Sequence, residues 1–221
     1  MVTNTYNATR SEYIDRNAVL RAFKALRKDK ILARANHWCC QSCGGSDLEG
    51  RMETRLKSGT PKWKGYAFWH QQTEERAFGR NYGYNRTLNI YYTGTKDLDD
   101  ELTHSDDGMS SEEIGYALYN ALKEEGLNVL WDGDANNSVA VFPDVFNEDE
   151  EMGFGSMFSS LNPDSPLIPD HLREKIRESR NAWLEHVEKL RKNREEKEAK
   201  EKAMEQAYTE VKTKEKERNF W

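Results

Sequence analysis

From Asp170 to about Arg218 the chain has neither glycine nor proline and is built largely from Glu, Lys, Arg, Ala and Leu. Such a run has strong helix propensity and no internal break, so it predicts one long helix. Leu172, Ile176, Trp183, Val187 and Leu190 form an apolar stripe in its first half. Beyond them only Ala199, Ala203, Ala207, Tyr208 and Val211 continue it. The first half is therefore expected to pack on something. The second half is expected to be a solvated helix held by Glu/Lys pairs, or a coiled-coil strand. Phe220 and Trp221 place two aromatics at the terminus.

The chain is thus expected to divide into a compact domain over 1–146, a linker over 147–169 and the charged helix over 170–221. The linker carries Glu148 to Glu151, then Gly153, Gly155, Ser156 and three of the five prolines. Met152, Phe154, Met157, Phe158 and Leu161 are interspersed, and partial docking through these apolar residues is expected.

Charge is unevenly placed. Residues 1–169 carry 18 Lys+Arg against 26 Asp+Glu, and residues 170–221 carry 15 against 13. An acidic main region lacks the clustered cations of phosphate-backbone binding, so a nucleic-acid partner is not expected. No run approaches the length of a membrane span, and Met1 to Arg10 has no apolar signal core. Three cysteines within five residues cannot build a disulfide framework, so a reducing, cytoplasmic location is expected.

Within 1–146, Ile14, Ala18, Val19, Ala22, Phe23 and Leu26 recur at helical spacing, with Ser11 as the expected N-cap. Gly65 to Gln71 and Leu88 to Thr93 read as strands. Ser110 or Ser111 opens a second helix with apolar face Ile114, Ala117, Leu118, Ala121 and Leu122, stopped at Gly126. Leu127 to Trp131 and Ser138 to Phe142 read as a hairpin around Asp132-Gly133. The order helix-β-β-helix-β-β predicts an α+β fold, a small antiparallel sheet with both helices on one face. The stretch from Asn36 to Lys64 reads as irregular, with a polar loop from Gly44 to Pro61.

The chemistry concentrates in His37-Trp38-Cys39-Cys40-Gln41-Ser42-Cys43-Gly44. Thiolates of a Cys-x-x-Cys turn can reach one Zn²⁺ together, and a following glycine eases the turn. Cys40 and Cys43 are the first two expected ligands and His70 the third. Cys39, His37 or Glu74 is the fourth. Zinc is the expected cofactor. The alternatives are three reduced thiols in a half-buried loop, or a nucleophilic or redox cysteine. A redox pair needs a helix N-terminus, and the expected loop does not supply one. The acidic loop Asp97 to Asp107 lacks calcium-loop spacing, and Asp132-Gly133-Asp134 is first a turn signal.

Four blocks carry a family resemblance: Asn36 to Gly44, Gly65 to Glu74, Leu88 to Tyr92 and Gly126 to Gly133. They resemble the signature blocks of a bacterial and phage domain family of unknown function, with its Cys-Cys-x-x-Cys and aromatic-His-x-Gln elements. The likeness covers roughly Ser11 to Phe142 and implies a folded unit with no particular activity. The charged appendage is similar to accessory proteins of actinobacterial phages. The expected function is a non-enzymatic interaction module, zinc-stapled, that self-associates or binds a protein partner through 170–221. The alternatives are a small Cys/His- or zinc-dependent hydrolase or transferase, and an acidic anti-defence or DNA-mimic protein.

Overall fold

The computed structural model describes residues 13–58, 63–79, 87–98, 107–143, 158 and 160–218, with the side chains of Leu56 and of 203–218 left aside. Ser11, residues 99–106 of the acidic loop, residues 147–157 of the linker, Phe220 and Trp221 lie outside them.

Helix α1 (Arg16–Lys28) begins one turn later than Ser11 would place it. Asp15 is the N-cap, its carboxylate accepting from the Asn17 N–H. β1 (Ile31–Arg34) follows, then α2 (Gln41–Lys57), β2 (Gly65–Phe68) and α3 (Gln71–Phe78). β3 (Leu88–Gly94) leads through a short 3₁₀ turn to α4 (Ser111–Glu124). The Ser110 hydroxyl accepts from the Glu113 N–H while the Glu113 carboxylate accepts from the Ser110 N–H, a closed capping box. β4 (Asn128–Leu130), β5 (Val139–Phe142) and α5 (Asp170–Arg218) complete the order.

The class is α+β, with the long C-terminal helix that the sequence predicts. The sheet departs from expectation. It has five strands in the order β1-β2-β3-β5-β4. β1 pairs parallel with β2, and the remaining pairs are antiparallel, so the sheet is mixed. The correction has a local cause. The stretch read as a polar loop is α2, and a helix is the crossover that a parallel pair requires. Glycines at 44, 45 and 50 lower its helix propensity, yet Leu48 and Met52, four apart, put an apolar face on the sheet. Gly44 also has a packing reason. A Cβ there would stand 2.4 Å from the Phe68 ring, so glycine lets the helix start against the sheet.

Strand alternation sorts the core into two faces. Ile31, Ala33, Ala67, Leu88, Ile90, Val129, Val139 and Val141 point to the face covered by α1 and α4. Leu32, Tyr66 and Phe68 point to the other, under Leu48 and Met52 of α2. On that same side Leu130 and Ala140 meet Phe158, Leu161, Ile168, Leu172 and Ile176. Helices therefore cover both faces, not one. The first two turns of α5 are part of the core, whereas Trp183, Leu184, Val187 and Leu190 of the same helix are exposed.

Gly115 of α4 faces Trp131, and a Cβ there would lie 2.5 Å from the indole ring. Alanine is worth about 1 kcal/mol over glycine in a helix interior. Because the indole is wedged among three tyrosines, overpacking at about 1–3 kcal/mol outweighs that gain. Gly115→Ala is expected to lower the urea midpoint. A raised midpoint would contradict this packing.

Candidate functional site: three thiols at the head of a helix

The cysteines sit where β1 hands over to α2. The connection is tightly wound, with Asn36 at φ 47° and Trp38 at φ 64°. Left-handed backbone is common enough for Asn36 but unusual for a bulky residue such as Trp38, and hydrogen bonds hold it in place. The His37 N–H donates to the Trp69 carbonyl at 2.7 Å, and the Gln71 N–H donates to the Trp38 carbonyl at 2.9 Å. The thiol loop is thereby tied to the end of β2 and the start of α3.

Cys40 occupies the position before α2, and its carbonyl accepts the Gly44 N–H at 3.1 Å, the first bond of the helix. Cys43 lies in the first turn. The Cys-x-x-Cys pair thus stands at a helix N-terminus, where free N–H groups and the helix dipole favour thiolate. That corrects the expected loop, and with it the absence of a redox context. The Cys40 thiol is drawn down to about 6, first by the Ser42 hydroxyl, with Sγ and Oγ 3.4 Å apart, then by the backbone N–H and thiol of Cys43. Cys43 is pushed up to about 11, first by its hydrogen bond to Cys40 and then by Cys39. One sulfur of the pair carries the charge and the other keeps the proton.

All three cysteines are free, Cys39 and Cys43 exposed and Cys40 half-buried. Their sulfurs lie within 4.8 Å of one another, with Cys39 Sγ and Cys40 Sγ 3.8 Å apart. Three thiols so placed could hold a metal ion.

The other expected ligands are placed elsewhere. His37 Nε2 pairs with Asp47 Oδ2 of α2 at 2.9 Å. Arg51, at 2.7 Å, and then His37 hold the Asp47 carboxyl below its ordinary range. Glu74 takes Arg16 Nε at 2.9 Å on one oxygen and the Trp69 indole N–H on the other. His70 is 4% exposed and stacks on Tyr91 with ring centroids 5.4 Å apart. Burial and then Arg76 lower its pKa, and its Nδ1 has no hydrogen-bond partner. Among the described residues the close donor group comprises the three cysteines, without His70.

His70 and Cys40 nevertheless share a cleft of about 640 Å³ on the α2 side of the sheet, with Glu49, Tyr66, Arg76 and Tyr91 also in its wall. The Tyr66 hydroxyl donates to Glu49 at 2.9 Å. Sequence spacing gives no sign of this cleft, because its walls come from four separate stretches of chain. The Asp132 turn is a turn: its carboxylate accepts from the Asp134 N–H, the Asn137 side chain and the Asn162 N–H.

Among the described residues no helix is long and apolar enough to cross a membrane. Comparison with curated proteins and with solved structures finds no match. The profile of one family does match, over residues 6–146, the stretch that holds the sheet, α1 to α4 and the three thiols. The chain belongs to that family, described as Domain of unknown function (DUF6891).

Proposed function

We propose that the protein is a zinc-binding accessory module in which Cys39, Cys40 and Cys43 hold one Zn²⁺ at the head of α2. One observation carries the reading. Sulfurs around a tetrahedral zinc at ~2.3 Å stand about 3.8 Å apart, and the Cys39–Cys40 separation is 3.8 Å. Cys43 Sγ, within 4.8 Å of both, joins them by a side-chain rotation. The helix N-terminus offsets part of the negative charge of three thiolates. A donor from solvent or from a bound partner completes the tetrahedron. The module role rests on α5, whose Trp183, Val187 and Leu190 recur at a coiled-coil interval and are exposed. Self-association through that stripe is the proposed contact.

Chelator competition on single Cys→Ser variants tests the metal reading. Loss of an outer-shell partner costs about 10–100-fold in affinity, and loss of a ligand is expected to cost more than that at each of 39, 40 and 43. His70→Gln is expected to bind zinc as the parent does. Unchanged zinc affinity in the three serine variants would contradict the proposal.

A further inference from the structure

We propose that Cys40 and Cys43 form a thiol–disulfide exchange pair whose substrate is a small, carboxylate-bearing disulfide seated in the cleft beside them. Residues three apart at a helix start have Cβ atoms ~5–6 Å apart, close enough for a disulfide after a small adjustment. The sulfurs of Cys40 and Cys43 lie within 4.8 Å. Cys40 lines the cleft and Cys43 is exposed, so the first presents a nucleophile to a bound ligand and the second can resolve it. The 640 Å³ cleft is within the range of small-molecule sites.

The cleft wall indicates the ligand's charge. His70 is buried beyond nine-tenths, lines the cleft and leaves Nδ1 unpartnered. Arg76 lines it too, with no acidic partner among the described residues. Among the described residues the one carboxylate in the wall is Glu49, which already accepts from Tyr66. An anionic ligand supplies a counter-charge for Arg76, while His70 Nδ1 is buried within the wall.

The exchange balances without a cofactor. The Cys40 thiolate attacks one sulfur of R–S–S–R, a Cys40–S–S–R bond forms as the ligand S–S bond breaks, and RS⁻ leaves. Cys43 loses its proton and attacks Cys40 Sγ, forming the Cys40–Cys43 disulfide and expelling the second RS⁻. The Cys43 proton and the proton that Cys40 released to solvent on forming its thiolate end on the two RSH products. The ligand is reduced by two electrons and the dithiol oxidised by two. The inference uses the same thiols as the zinc reading but does not rest on a bound ion. Zinc would occupy the sulfurs, so exchange belongs to the metal-free chain.

The test treats the full chain, stripped with a chelator, with glutathione disulfide and maps products by mass spectrometry. The parent and Cys39→Ser are expected to gain a Cys40–Cys43 disulfide with no retained glutathione. Cys43→Ser is expected to trap one glutathione on Cys40, and Cys40→Ser to lose the reaction. Adducts on Cys39 or Cys43 in place of Cys40 would overturn the assignment. Arg76→Ala is expected to slow the reaction about tenfold with glutathione disulfide, from loss of a charge-assisted contact, and to leave neutral bis(2-hydroxyethyl) disulfide unaffected. Equal slowing of both, or of neither, would overturn the anionic ligand. One equivalent of zinc is expected to stop exchange. Exchange that ignores zinc would count against the metal reading and leave this one standing.

Discussion

Trp131→Ala is expected to destabilise the fold by about 3–5 kcal/mol, the usual range for emptying a buried tryptophan site. The indole is fully buried and meets the rings of Tyr92, Tyr116 and Tyr119 at centroid distances of 6.0, 5.0 and 6.2 Å. Its N–H donates to the Asp134 carbonyl at 3.2 Å. The Tyr92 hydroxyl also donates to the carbonyls of Asp134 and Asn137, so one aromatic group pins both the α4 packing and the β4–β5 turn. Removal leaves a cavity that rigid neighbours cannot fill. Domain stabilities of about 5–15 kcal/mol make this a large fraction of the total. The urea midpoint should fall with an unchanged slope. Trp183→Ala, at a site 46% exposed, should shift it by less than about 0.5 kcal/mol. Similar shifts for the two variants would contradict the burial pattern.

The second large effect concerns where the chain can be cut. A chain ended at residue 169 loses Leu172 and Ile176, which cover Leu130 and Ala140 on the back of the sheet. Burying each such side chain is worth about 1.5–3 kcal/mol. The cut is therefore expected to cost about 3–6 kcal/mol, an upper figure because the unfolded chain is itself partly collapsed. A chain ended at residue 182 keeps both residues and is expected to match the full protein in urea. It lacks Trp183, Val187 and Leu190, so it is expected to sediment as a monomer while the full chain self-associates. Equal stability of the two truncations would contradict the docking of the first turns of α5. Equal sedimentation of the full chain and the 182 truncation would contradict self-association through the stripe.

Much of the fold is legible in the chain. The periodicity of Ala18, Val19, Ala22, Phe23 and Leu26 marks α1, and Ser110 with Glu113 marks the start of α4, because local spacing and capping chemistry act within one element. The hairpin around Asp132-Gly133 is legible for the same reason. β1 is four residues long and carries too little alternation to register. α2 is obscured by its glycines, which lower propensity where the sheet demands close approach. The error propagates to the site. Without α2, Cys40-x-x-Cys43 reads as a loop knuckle, and the helix terminus that sets its two thiols apart goes unseen. The residue types of the cluster are legible. The partners that engage His37 and Glu74, namely Asp47, Arg16 and Trp69, are not, because they follow from how strand ends and helices meet.

The central claim is that three thiolates hold one metal ion at the head of α2. Cobalt(II) titration of the full, reduced chain tests it most directly, because cobalt reports both ligand type and geometry in its absorption. The account predicts saturation at one ion per chain, intense tetrahedral bands, and sulfur-to-cobalt charge transfer that scales with three thiolates and falls by a third in each single Cys→Ser variant that still binds. A weak octahedral spectrum, or a charge-transfer band that the variants leave unchanged, would contradict it.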